Sequence, residues 1–325
     1  MWPVLSLLAL IGLGQPATAA VWAVQPGGPL PRVADALRLA GDGDTITVAP
    51  GTYRGDVAVI TQRALTIVGL GERPLLLADG AHAEGKAIWV VRGGDIRIEN
   101  IAFQGTRVPS RNGAGIRFER GRLTLRRCLF ADNQMGLLTS NDNSAELVIE
   151  DSEFRDAPHQ TQAEGLPHLL YVGRIARASI RGSRFSRGFD GHLIKSRAAE
   201  TVIEDNWIDD GPGGQASYEI DLPNGGLARV ARNTIGQSAA THNPVMLSFG
   251  AEGQPWPRSG LQMLDNRFVN RLGAATGVPV RVWVERLPPA TPVRSQGNRW
   301  LGGGTPELGA GADSRDDAAG PLPAE

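Results

Sequence analysis

Three short segments of this chain carry the residues best suited to chemistry: "HLLYVGR" at 168–174, "HLIKSRA" at 192–198 and "YEIDLPN" at 218–224. Each begins 16 or 17 residues before the apolar residue that closes a repeated motif, at Phe185, Ile208 and Ile235. They therefore take equivalent places in three successive repeats. Read as strands with side chains alternating between two faces, they put Leu170, Ile194 and Ile220 in one buried column. The opposite column, facing water, holds Tyr171, Lys195 and Asp221, with Leu169, Leu193 and Glu219 two residues before them and Arg197 two beyond Lys195. Strands of neighbouring repeats stand about 4.8 Å apart, so these side chains are expected to touch. Lys195 beside Asp221 can stay charged, and Tyr171 beside Lys195 gains phenol acidity. Such an assembly can remove a proton next to a carboxylate or protonate a glycosidic oxygen. The plainer alternative is a surface ion-pair ladder, which contributes little.

His168 and His192 open their strands where Tyr218 opens the next. Parity assigns them to the inward column, although strand ends often turn outward. Such a histidine either bonds a nearby backbone carbonyl or serves beside Lys195 as acid or base. His159 and His242 have no partner at metal spacing, so no transition-metal site is expected. Asp205, Asp209 and Asp210, with Asp190 before Gly191, offer oxygen ligands of the kind that cage calcium. A cap or loop role is the ordinary account of these residues.

The element that must position these groups is a repeat. "IENIAF" at 98–103 returns as "LRRCLF", "IEDSEF", "IRGSRF", "IEDNWI", "VARNTI", "MLDNRF" and "SQGNRW". The closing residues are Phe103, Phe130, Phe154, Phe185, Ile208, Ile235, Phe268 and Trp300, at intervals of 23 to 33 residues. That is the period of a solenoid coil. Runs such as Ile96-Arg97-Ile98 and Leu123-Thr124-Leu125 alternate apolar with polar residues, the pattern of strands with one buried face. Two places before the closing residue stand Asn206, Asn233, Asn266 and Asn298 in four consecutive coils. Asn tolerates left-handed backbone angles and its amide both donates and accepts, so stacked coils can run a side-chain ladder at this corner.

With coil length, Asn corner and internal aromatic stack together, the chain resembles the right-handed parallel β-helix, pectin-lyase-like superfamily over residues 44–301. "GHLIKSRA…YEIDLPNGG" is similar to a pattern in a bacterial secreted subgroup of unassigned activity. The resemblance implies an all-β solenoid of about nine to ten coils. A short capping α-helix is expected over 31–40, where Val33, Ala36, Leu37 and Ala40 share one side, with Thr45–Val48 as the first strand after it. Residues 21–301 then form one domain and 302–325 a loosely held tail.

Composition sets the remaining bounds. With 325 residues, 41% of them hydrophobic, and 42 glycines, the chain can fill a core and is rich in turns. A net charge of −1 excludes an electrostatically driven nucleic-acid or anionic-membrane partner. Residues 1–20 combine an apolar run, Val4 to Leu13, with small residues ending at Ala20, as an export signal does. The run is too short to span a bilayer. A secreted or periplasmic monomer, without a membrane anchor once that signal is cleaved, is expected. Cys128, the single cysteine, reads as a small buried corner residue.

The enzymes of the resembled superfamily imply an acidic polysaccharide as partner and β-elimination as chemistry, with no cofactor other than calcium. On that reading Tyr171, Lys195, Arg197 and His192 are catalytic, while Glu219, Asp221, His168 and Tyr218 bind substrate. Loops before Leu166 and around Gly211–Gly214 would wall the saccharide in. Hydrolysis by Glu219 and Asp221, epimerisation, and binding without catalysis are the alternatives. The paired-Asp motif of polygalacturonase-like hydrolases and the Asp-Pro-His-Asp motif of mannuronan epimerases are missing; only "DAPHQ" approaches the latter.

Overall fold

The computed structural model describes residues 19–160, 165–273, 275–317 and 319–322. Among these, the strands form three parallel sheets, and each full coil gives one strand to each. The twelve-stranded sheet runs from Val21–Val24 to Asp313–Arg315, the ten-stranded sheet from Thr52–Arg54 to Arg299–Leu301, and the nine-stranded sheet from Ala58–Ile60 to Val278–Val282. The expected winding is therefore present, with about ten coils. No helix among the described residues is long and apolar enough to cross a membrane.

Alternation explains the twelve-stranded sheet. Leu123 lies opposite Leu147 and Leu125 opposite Ile149, all four buried in the bore. Outside, Arg122 meets Glu146 at 3.1 Å and Arg177 meets Glu200 at 3.2 Å across adjacent strands. These exposed pairs fix register more than they stabilise. On the ten-stranded sheet the closing residues stack inside the bore. Phe103, Phe130, Phe154 and Phe185 follow one another with ring centroids 5.1, 4.6 and 4.9 Å apart and planes within 11° of parallel. Phe268 and Trp300 resume the stack at 4.6 Å after Ile208 and Ile235.

The Asn ladder is present and fully buried. Asn206 Nδ2 donates to Asn233 Oδ1 at 2.9 Å, Asn233 Nδ2 to Asn266 Oδ1 at 3.0 Å, and Asn266 Nδ2 to Asn298 Oδ1 at 2.8 Å. Each of the last three oxygens also accepts the backbone N–H of the preceding Asn. The left-handed residue of the corner is not the Asn but the one before it: Asp205, Arg232, Asp265 and Gly297 have φ of 55–66°. The Asn supplies hydrogen bonds and its neighbour supplies the bend. Asp316 closes the ladder, Oδ1 accepting from Asn298 Nδ2 at 2.9 Å. The solenoid thus extends past residue 301, where a loose tail was expected. Asp313–Arg315 pairs in parallel with Val293–Gln296.

At the other end, the helix is shorter than the expected 31–40, covering Val33–Leu37. Val33, Ala36 and Leu37 are buried against the first coils. Its first amides donate to Asp56, Val33 N at 2.6 Å and Ala34 N at 3.1 Å. Winding also begins earlier than expected, because Val21–Val24 pairs with Thr45–Val48 ahead of the helix. The apolar run read as an export signal lies outside the described residues. Cys128 is buried and its thiol is pushed up to about 11 by burial, which suits an inert packing role.

Candidate functional site

The nine-stranded sheet departs from strict alternation, and the departure decides what faces solvent. In each of its five-residue strands the first residue points out, the next two point into the bore, and the fourth points out; the shorter Ala58–Ile60 begins at the third place. Leu169 and Leu170, like Leu193 and Ile194, all belong to the bore core. Met135, Leu138 and Tyr171 instead belong to a separate outer cluster with Ala87, Val90 and Ala114. The pairing reflects this: His168 faces Met135, Leu170 faces Leu137 and Tyr171 faces Leu138, with the second residue passed over. In two earlier coils the second place holds Gly115 and Gly136. A Cβ on Gly136 would lie 3.0 Å from the Phe154 ring and 2.2 Å from Leu169 O.

Two expectations are corrected by this geometry. His168, His192 and Tyr218 are not in the inward column but line the outer face. Leu169 and Leu193, expected to face water, point into the bore, and Glu219, which takes the place of Leu193 in the next coil, points inward with them, so it is not in the outer cluster. Its carboxyl is buried with neither oxygen hydrogen-bonded. Burial, with Asp210 nearby, pushes it well above the ordinary Glu range, which favours the protonated acid. It cannot reach a substrate on the outer face, and the Glu219–Asp221 pair considered for hydrolysis does not exist.

The other expected neighbours do meet. Tyr171 faces Lys195 and Lys195 faces Asp221 on three adjacent strands. Lys195 Nζ is 3.3 Å from Asp221 Oδ2. Arg197 Nε donates to Tyr171 Oη at 2.9 Å, and Nη1 donates to Asn224 Oδ1 at 2.7 Å. Sequence reasoning missed the group that joins the two cations. Glu252 Oε1 accepts from Lys195 Nζ at 2.6 Å, and Oε2 accepts from Arg197 Nη2 at 2.5 Å. Glu252 stands on a turn between repeats, so no periodic signal marked it. Burial alone would raise its carboxyl, but the bonds and charges of Lys195 and Arg197 outweigh that and hold it below the usual range. Burial likewise opposes Arg197's charge, and bonds to Glu252 and Tyr171 more than offset it.

Beneath this pair lies a buried group of polar atoms. Asp221 is 2% exposed; burial lifts its carboxyl to about 6, against the pull of Lys195. His192 Nδ1 lies 3.3 Å from Asp221 Oδ2 without hydrogen-bond alignment. His192 Nδ1 and Asp221 Oδ1 are left unpartnered, as is Ser248 Oγ on the next strand. His168 Nδ1 accepts the His192 backbone N–H at 2.8 Å, which fixes its tautomer. Burial, then the charges of Lys195 and Arg197, lowers His168 to about 3. His192 is held well below its ordinary value by burial, His168 and the same cations. Both imidazoles are therefore neutral, and with Tyr218 they form a ring row at 4.7 and 4.9 Å between centroids.

An open polar cleft of about 490 Å³ adjoins the starts of these strands, lined by Leu166, Asp190, Gln215, Ser217, His242, Asn243 and Pro244. Of the four aspartates considered for calcium, Asp190 lines this cleft and the other three are otherwise engaged. Asp205 pairs with Arg232 at 2.7 Å, Asp209 with Arg271 at 2.8 Å, and Asp210 accepts the Gly188 and Ala216 amides at 2.6 and 2.8 Å. Among the described residues, no three His, Cys, Asp or Glu side chains are grouped to hold a metal ion.

No protein-family model matches the sequence, and no curated protein is similar to it. Solved structures are. Over 92% of its length the chain is similar to the pectate lyase Pel9A, covering 79% of that chain with a TM-score of 0.66 and 13% identity. Over 92% it is also similar to an alginate lyase from Paenibacillus sp. str. FPU-7, covering 99% of that chain with a TM-score of 0.62 and 15% identity. The PL6 family alginate lyase AlyGC aligns with 99% of this chain over 41% of its own length, at a TM-score of 0.55 and 14% identity. Similarity at this identity is one of backbone path: the chain has the right-handed parallel β-helix, pectin lyase-like fold.

Proposed function

We propose that this chain is an exported, carbohydrate-active β-helix protein that cleaves a uronate-containing polysaccharide by β-elimination. The observation that carries the reading is the grip of Lys195 and Arg197 on a single carboxylate, that of Glu252, on the outer face of the nine-stranded sheet. Two cations that hold one carboxylate side by side are suited to hold a uronate's. Neutralising that carboxylate makes the proton on the adjacent carbon easier to remove. Tyr171, whose oxygen is aligned by Arg197, is positioned to take it when it enters the step as the phenolate. The electrons of that C–H bond then form a carbon–carbon double bond as the C4–O4 bond breaks. The leaving oxygen takes up a proton, which Tyr171 can return.

Asp221 orients Lys195, while neutral His168 and His192 with Tyr218 offer a ring surface to a sugar face. The polar cleft at the strand starts gives room for further sugar units. The named pectate and alginate lyases with this fold support the same substrate class.

The test is incubation with alginate, pectate and glycosaminoglycans while following the ultraviolet absorbance of unsaturated uronates. Rising absorbance on one of them is expected. Reducing ends released without absorbance would replace elimination by hydrolysis. Silence in both assays with retained binding would make the chain a polysaccharide-binding module.

A further inference from the structure

The segment Gly250–Arg258 covers the cationic pair; backbone bonds from Gly250 N to Leu222 O, Glu252 N to Pro223 O and Trp256 N to Asn224 O tie it to the neighbouring turn, and side-chain contacts besides those of Glu252 fasten it down. Trp256 Nε1 donates to Arg197 O at 3.0 Å, Asn224 Nδ2 to Gly253 O at 2.7 Å and Arg174 Nη1 to Gln254 O at 3.1 Å. Arg286 reaches Ala251 O from the far side, and the Arg174 guanidinium lies 4.1 Å over the Trp256 ring. Beneath, Lys195 is 7% exposed, and three polar atoms have no partner: His192 Nδ1, Asp221 Oδ1 and Ser248 Oγ. Buried polar atoms without partners are rare in folded proteins and mark a place where a ligand or water belongs. A saccharide cannot reach Lys195 while this segment lies where it does. The groups with the strongest demand for an anion are met by a side chain that is itself 44% exposed and anchored on a turn.

We propose that Gly250–Arg258 is a lid and Glu252 its latch: a built-in carboxylate that occupies the Lys195–Arg197 site and is exchanged for the carboxylate of an acidic sugar. This rests on the proposed role of that pair in holding a uronate. In the closed state and in the saccharide-bound state alike both cations hold a carboxylate, so neither end state leaves a buried charge uncompensated. It also sets specificity. A neutral sugar has no group to offer in place of Glu252 and leaves the lid closed, whereas an acidic one pays back the contact that it breaks. Because only the open fraction of molecules can bind, the latch weakens apparent affinity by that fraction.

Glu252→Gln tests this, with hydrogen exchange of the 250–258 segment and binding of hexagalacturonate, hexamannuronate, a glycosaminoglycan hexasaccharide and cellohexaose measured on both proteins. Exchange elsewhere in the chain serves as the check on folding. The expected result is faster exchange of 250–258 in the variant without any ligand. An acidic hexasaccharide should also bind it about tenfold more tightly than the unaltered protein, with cellohexaose unaffected. Equal affinity of both proteins for an acidic hexasaccharide, or unchanged exchange of the segment, would overturn the latch and leave the uronate reading standing. Absence of binding by hexagalacturonate, hexamannuronate and the glycosaminoglycan hexasaccharide alike, to either protein, would remove the uronate reading and the latch with it.

Discussion

Lys195 Nζ lies 3.3 Å from Asp221 Oδ2, although the two residues are 26 positions apart, because adjacent coils stack in register. Each is nearly buried, so each needs the other. Lys195→Ala is expected to abolish elimination and also to destabilise the fold by about 3 kcal/mol at pH 8, since a buried carboxylate loses its cation. The pH dependence has a definite sign. Asp221 is raised to about 6 in the folded chain from 3.8, so its burial costs stability progressively as pH climbs from 3.8 through about 6. Without Lys195 that cost grows above about pH 6, while near pH 5 the acid is mostly protonated in both proteins. Calorimetry should show a larger fall in Tm at pH 8 than at pH 5, and adding Asp221→Asn should restore most of it. An equal fall at both pH values would mean that the pair is not coupled.

Tyr171→Phe removes one oxygen and leaves the ring against the outer cluster. Turnover is expected to drop by roughly 10²–10⁴-fold, the usual contribution of a positioned proton-transfer group. KM should change little, because Lys195 and Arg197 remain. Initial rates on the polysaccharide that gives unsaturated product measure both quantities. A rise in KM at unchanged kcat would make Tyr171 a binding residue only.

Glu219 gives the opposite test, of a carboxyl with no part in chemistry. Its folded-state pKa is raised well above 4.5 by burial, so the native chain holds a proton that the unfolded chain releases. Its contribution to stability is therefore greatest at low pH and falls as pH rises above 4.5. Glu219→Gln keeps the shape and removes the charge. The variant's Tm should match or exceed that of the unaltered protein at pH 5, and exceed it by a few degrees more, about 1–3 °C, at pH 8. Activity should persist. Loss of turnover in this variant would restore Glu219 to the site.

Much of this architecture was legible because solenoid repeats write the same physical demand many times. Phe103, Phe130, Phe154 and Phe185 identify themselves by spacing alone, as do the four Asn of the corner. The facing of Tyr171, Lys195 and Asp221 followed from the same spacing. What failed was parity: the two consecutive inward residues of each nine-stranded-sheet strand put His168 and His192 outside and Glu219 inside. The sequence does carry that signal, since "LL" at 169–170 and "LI" at 193–194 are adjacent apolar pairs that strict alternation cannot bury together. Glu252 was illegible for a different reason. It sits on a connecting turn, and turns do not repeat.

The Asn ladder predicts a sharp contrast among polar residues. Asn233 Nδ2 donates to Ile203 O and Asn266 Oδ1, and Asn233 Oδ1 accepts from Asn206. Asn233→Ala leaves buried partners on both sides unsatisfied, which costs about 1–3 kcal/mol for each such group. Arg177→Ala, on an exposed ion pair with Glu200, should cost less than about 1 kcal/mol. Denaturation midpoints of the two variants check the order; similar losses would show that the ladder is not a principal support.

A crystal structure of the Tyr171→Phe variant with a bound oligouronate, from whichever polysaccharide the unaltered protein cleaves, tests the Lys195–Arg197 carboxylate site directly. A sugar carboxylate is expected within hydrogen-bond distance of both Lys195 Nζ and the Arg197 guanidinium, with Glu252 displaced and the saccharide running across successive strands of the nine-stranded sheet. An oligosaccharide bound on another face, with Glu252 still between the two cations, would contradict that site.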